Sequence, residues 1–109
     1  MQFGIEQPPC GFIAPFEVPA IGAAIIGAGQ AAEVSDQAII VALMTALQES
    51  MLYNLASPAV PESLAYPHDR QAVNMASVGL FQQQHTMGWG PVADLMQPSI
   101  SARTFFLGH

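Results

Sequence analysis

Between Gln37 and about Asn54, apolar side chains recur at Ile40, Leu43, Met44, Leu47 and Met51. That is the i, i+3, i+4, i+7 spacing of one helix face, and it predicts a helix over this stretch. Ser35 or Asp36, in "VSDQA", supplies its N-cap. The other face, through Ala38, Val41, Ala42 and Thr45, is nearly as apolar, and a helix apolar all round belongs in the centre of a fold. A first, weaker helix is expected from Ile21 to Glu33, loosened by Gly22, Gly27 and Gly29.

After Tyr53 the periodicity stops. "NLASPAVPESLAYPHDRQAVNMASVG" carries three prolines and reads as a long ordered excursion, a length that compact domains keep mainly for function. "SVGLFQQQ" suits a short strand or hairpin, "MGWG" a turn, and "PVADLMQ" a short helix with Pro91 at its first position. "SISARTFFLGH" predicts a last amphipathic helix ending at Gly108. Phe105 and Phe106, with Leu95, Met96 and Ile100, fall at helical intervals and are expected in the core. Residues 1–19, interrupted by Pro8, Pro9, Pro15 and Pro19, form a proline-rich arm in this reading, and residues 20–109 form one domain.

Composition narrows the setting. The 109 residues allow one modest core. They are 51% hydrophobic and only 9% charged, against roughly 25% charged in an average domain. Arg70 and Arg103 are the only cations and the net charge is -6, which argues against nucleic-acid and anionic-membrane partners. The uncharged run Val18 to Ala32 is shorter than the roughly 20 apolar residues of a spanning helix, so no membrane insertion is expected. The arm lacks a basic stretch and does not resemble a signal peptide. Cys10 is the only cysteine, which excludes an internal disulfide. His68, His85 and His109 show no ligand spacing, so neither a metal nor another cofactor is expected.

Against this background Glu49 stands out as the only charge between Val41 and Leu55. Burial against the helix body, the negative end of the helix macrodipole and the lack of a nearby cation all act against an anion there. A carboxyl held neutral is what a general acid requires. The alternative is an ordinary surface acid at a fraying helix end.

"ALQES", followed after a loop by "SVGLFQQ", resembles the lytic transglycosylase and goose-type lysozyme superfamily, in which a helix-borne Glu-Ser precedes a Gly-Leu-(Met/Phe)-Gln turn. The chain more closely resembles the lysozyme-like domains of actinobacterial cell-wall proteins and of the phages that infect those bacteria. It runs from about Ala42 to Phe106 with its parts in order. The resemblance implies a mainly α, small lysozyme-like domain with a long ordered loop or a short β-hairpin between helices. It implies cleavage of the β-1,4 bond between N-acetylmuramic acid and N-acetylglucosamine, with Glu49 as the catalytic acid/base. Substrate contacts would fall on Ser77, Gly79, Phe81, Gln82, Gln83 and Trp89. Gly79 would let the backbone approach a sugar, and Gln82 or Gln83 would bind an N-acetyl group or hold Glu49. Leu80 and Phe81 equally suit a core, and Trp89 suits either a sugar platform or a buried position. Ser50 is expected to brace the helix end rather than act as a nucleophile.

One departure affects the chemistry. Family members carry an aspartate before the serine of "SVGLFQQ", where this chain has Ala76. Two readings stay open: a lytic transglycosylase or muramidase working through Glu49, or an inactive wall-binding or structural module within a larger protein or virion assembly. Asp69 and Glu62 are the nearest spare acids, and both are expected to be solvated. The expected partner is the peptidoglycan glycan strand, and the expected setting is the cell wall, the extracellular space or a phage virion. Family members continue with more helix past the segment matching "ARTFFLGH", so a C-terminally shortened domain is a further expectation.

Overall fold

The computed structural model describes residues 18–72 and 76–108. The body of the expected arm, Cys10 and His109 lie outside these residues. The described chain is mainly α. Helix α1, Val18–Ala31, leads through a short turn into α2, Asp36–Ser50. The excursion that follows holds strands β1, Leu55–Ala56, and β2, Arg70–Gln71, with a 3-10 helix, Pro61–Ala65, between them. A tight turn and a second 3-10 helix, His85–Met87, lead to α3, Val92–Leu95, and α4, Pro98–Leu107.

Helix α1 starts three residues earlier than the pattern suggests, taking in Val18 and Pro19 from the segment expected as arm. Proline is tolerated in a first turn, where no intrahelical N–H is needed. Its glycines weaken the helix, and packing offsets that: Ile21, Ile25 and Gly29 lie buried on one row. A Cβ at Gly29 would sit 2.5 Å from Ile39 Cγ1, so glycine permits the close approach of α1 to α2. Helix α1 ends with Glu33 in the left-handed region (φ 57°). There Val34 N–H donates to Gly29 O and Glu33 N–H to Gln30 O, the paired bonds of a Schellman cap.

Of the two cap candidates it is Ser35 that caps α2, its Oγ accepting from Ala38 N–H at 3.1 Å, while Asp36 is the first helical residue. Two expectations for this helix need correction. It ends at Ser50 rather than near Asn54, because Met51 and Leu52 both turn left-handed (φ 56° and 64°). That reversal packs Leu52 against the core and sends the chain into β1. Nor is α2 a central, fully buried helix. It buries the small face Ile39, Ala42, Ala46 and Ser50, while Ile40, Val41, Met44, Leu47 and Met51 are 49% to 64% exposed. Alanines give the closest approach to α1 and α4, and a chain of this size has no further described element to cover the second face.

The described part of the excursion is held by buried polar groups. β1 and β2 pair in parallel, Leu55 opposite Arg70 and Ala56 opposite Gln71. Asp69 N–H donates to Asn54 O at 2.8 Å on one side and Ala72 N–H to Ala56 O at 2.9 Å on the other. Buried Ser63 accepts from Ser57 N–H at 2.9 Å and lies 2.7 Å from Val60 O, closing the loop between them. Asn54 Nδ2 donates to Pro67 O at 3.0 Å and to Met96 O at 2.7 Å, tying the excursion to the end of α3. Pro91 is the N-cap of α3 rather than its first helical residue. Gly108 closes α4, as expected.

The core has two parts. Ile21, Ile25, Ala42, Ala46, Leu80, Phe81 and Ala102 join α1, α2 and α4, with Phe105 and Phe106 packed against them. Ala56, Val60, Val78, Val92, Leu95 and Met96 form the second part, covered by Tyr66 and Trp89. The "SVGLFQQ" segment belongs to both.

Candidate functional site

That segment forms a tight turn. Val78 and Gln83 exchange both backbone hydrogen bonds at 3.1 Å, closing Gly79 to Gln82 into a loop. Gly79 has φ +79°, and a Cβ there would run into the Leu95 carbonyl oxygen. Its N–H donates to Leu55 O at 2.7 Å, so the turn is bonded to β1. Gln82 is also left-handed (φ 50°), a conformation that costs energy outside glycine. Its Nε2 donates to Gly79 O at 2.9 Å, so the side chain folds back over its own turn.

Glu49 occupies the last turn of α2 and is partly buried. Its neighbour Ser50 is fully buried, and Ser50 Oγ lies 2.7 Å from Leu80 O and 3.0 Å from Ala46 O. This hydroxyl ties the acid-bearing helix end to the Gly-Leu-Phe-Gln turn, the bracing role expected of it. Among the described residues the Glu49 carboxyl has no hydrogen-bond or ion-pair partner.

The remaining expected contacts divide by burial. Phe81 is 6% exposed and stacks on Phe105 with ring centroids 4.5 Å apart, so its ring serves the core. Ser77 and Gln83 are also buried. Gln83 Nε2 lies 3.5 Å from Ser101 O, while among the described residues Gln83 Oε1 and Gln82 Oε1 are buried without partners. Trp89 is partly buried against the second half of the core. Ala76 is exposed.

Two acids that looked alike in sequence differ in the fold. Glu62 is exposed. Asp69, expected to be solvated, is only 2% exposed, and its Oδ2 accepts from Asn54 N–H at 2.8 Å. The reason is β-pairing: the strand register draws Asp69 under the end of the ladder, where a carboxyl can take up a buried donor. Asn54 was not singled out from the sequence, yet it bonds to Pro67 and Asp69 within the excursion and to Met96 beyond α3, and among the described residues its Oδ1 is buried and unpartnered. Nothing in an Asn-Leu pair beyond a helix end marks it.

Among the described residues no group of three His, Cys, Asp or Glu is placed to hold a metal ion. No helix there is long and apolar enough to cross a membrane. A groove of about 660 Å³ runs between α1 and α4, lined by Ala24, Ala28, Ala31, Ile100, Arg103 and Leu107. None of the expected site residues lines it, and its walls of small apolar side chains offer no acid for chemistry. The Ser50 tether therefore locates the candidate site better than the size of the groove does. No protein-family model matches the chain, and a search of curated proteins finds no match.

Proposed function

We propose that this domain cleaves peptidoglycan glycan strands at the bond between N-acetylmuramic acid and N-acetylglucosamine, with Glu49 as general acid and then base. The observation that carries the reading is the 2.7 Å contact from Ser50 Oγ to Leu80 O. It joins the two motifs whose resemblance to lysozyme-like proteins suggests this activity, across a separation of thirty positions. Among the described residues nothing engages the Glu49 carboxyl, which leaves it available to a substrate oxygen.

In this mechanism Glu49 gives its proton to the departing N-acetylglucosamine oxygen as the muramic C1–O bond breaks and positive charge develops at C1. The resulting carboxylate then takes the proton of the muramic 6-hydroxyl, whose oxygen bonds to C1 and leaves a 1,6-anhydro end. That attack is intramolecular, so the step needs no second carboxylate and is compatible with Ala76. Digestion of purified actinobacterial peptidoglycan tests the reading. Anhydro-muramyl ends that fall by at least ~100-fold with Glu49→Gln support it, given the size of general acid–base effects. Reducing ends would instead mean hydrolysis through another group, and Ala76→Asp at this exposed position would increase them.

A second reading, an inactive wall-binding or structural module in a larger protein or virion assembly, draws support from the exposed apolar row on α2. Contiguous apolar surface of this kind marks interaction sites more often than free surface. Release of nothing by a folded chain that still binds sacculi would favour it. Either reading places the protein at the cell wall or in a phage particle.

A further inference from the structure

Only two of the side chains are cationic, against eight acids, and the wall polymer that the proposed function implies is itself anionic through its lactyl and peptide carboxylates. A chain of net charge -6 would repel such a ligand unless a local cation receives it. Arg103 lines the α1–α4 groove, apart from the expected site residues. Arg70 has a different setting. Its guanidinium carbon lies 4.1 Å from the centroid of the Tyr53 ring. Both residues are partly buried, and among the described residues Arg70 has no carboxylate partner despite the excess of acids.

The backbone sets this pair beside the candidate site from two directions. Tyr53 N–H donates to Ser50 O at 3.0 Å, which holds the Tyr53 backbone at the helix end that carries Glu49. Arg70 pairs with Leu55 on one edge of β1, and Gly79 N–H bonds to Leu55 O. Arg70 and the Gly79 turn are therefore both bonded to β1, two strand spacings apart at most, or roughly 10 Å. Stacking on an aromatic face fixes a guanidinium while leaving the N–H donors at its edge for a planar, bidentate acceptor.

We propose that Arg70, held by Tyr53, is the receptor for a carboxylate of the bound glycan, contributed by a muramic lactyl group or a stem peptide. The assignment rests on the glycan reading above. Its test is equilibrium binding to a Glu49→Gln host, in which the probes survive. The probes are a neutral N-acetylglucosamine tetramer, its muramic acid counterpart with free lactyl carboxylates, and peptide-bearing counterparts with free or amidated carboxylates. The expected result is roughly tenfold tighter binding of a free-carboxylate probe than of its neutral partner, the size of one charge-assisted bidentate contact. That preference weakens with added salt. Whichever carboxylate confers it identifies the source. Arg70→Gln should abolish the preference, and Arg70→Lys and Tyr53→Leu should reduce it. Equal binding of acidic and neutral probes, or an unchanged preference in folded Arg70→Gln, would overturn the assignment and leave the glycan reading intact. Binding of no probe would overturn the glycan reading itself. The comparison of free with amidated ligands needs no further substitution and holds even if a variant fails to fold.

Discussion

Helix α2 carries two hydroxyls that bond back to the carbonyl one turn earlier, and they make a matched pair. Thr45 Oγ1 lies 2.7 Å from Val41 O on the outer flank of the helix. Ser50 Oγ lies 3.0 Å from Ala46 O but also 2.7 Å from Leu80 O, in a fully buried setting. The local bond alone is worth little in a helix and is slightly unfavourable there. Thr45→Ala should therefore change stability by no more than about 0.5 kcal/mol. Ser50→Ala removes the donor opposite the Leu80 carbonyl, and an unsatisfied buried acceptor costs about 1–3 kcal/mol. For a domain of this size that corresponds to a fall in Tm of roughly 5–15 °C. Thermal and urea unfolding of the two variants beside the parent measures the difference. The urea midpoint should fall while its slope stays constant, since the same surface is exposed. If Ser50→Ala and Thr45→Ala were equally mild, the contact to Leu80 would carry no weight, and the reasoning that makes it the tether of the site would fail.

Gly79→Ala should be more severe than any other single change in the turn, by at least about 2 kcal/mol, because it adds left-handed strain to a collision with the Leu95 carbonyl; a loss of cooperative unfolding would show it. Asp69→Ala should cost about 1–3 kcal/mol, since it strands the buried Asn54 N–H, whereas Glu62→Ala at an exposed position should be silent in the same urea assay. Met44→Gln and Leu47→Gln, at positions 64% and 55% exposed, should alter stability by less than about 0.5 kcal/mol while lowering self-association in light scattering. Glu49→Gln should leave the Tm within a degree or two, because its carboxyl has no partner among the described residues whose loss would be felt.

How much of this was legible in the sequence follows from the range of each interaction. Caps and helix stops are local: the sequence narrowed the α2 cap to Ser35 or Asp36 and marked the stop at Gly108. The last helix likewise follows its apolar spacing. The orientation of α2 was not legible. Its apolar residues fall on both faces, so periodicity could not choose between the alanine face and the methionine-leucine face. Tertiary contact chose alanine, since closeness to α1 and α4 favours small side chains. The early end of α2 was hidden for a related reason: two left-handed residues, neither of them glycine, carry no sequence mark. Asp69 and Asn54 depend on a parallel register across the excursion, the least local information in the fold. At the candidate site, the joining of the Glu49-bearing helix end to the Gly79 turn was suggested by motif order alone. Its physical cause, the Ser50 hydroxyl, is a single long-range contact.

These contacts converge on one place. Leu55 pairs with Arg70 and accepts from Gly79, Leu80 receives Ser50, and Val78 and Phe81 enter different halves of the core. The turn from Gly79 to Gln82 is thus where the two halves of the domain are joined, and the Ser50 hydroxyl bonds it to the helix end that carries Glu49. Substitutions inside it will disturb folding and function together, so loss of activity in Gly79 or Phe81 variants cannot by itself assign them a substrate contact. Glu49 and Arg70 are different, because neither side chain has a hydrogen-bonded partner among the described residues. They are the positions at which the proposed chemistry can be changed with least disturbance of the hydrogen-bonded framework, and effects measured there test the proposed site rather than its support.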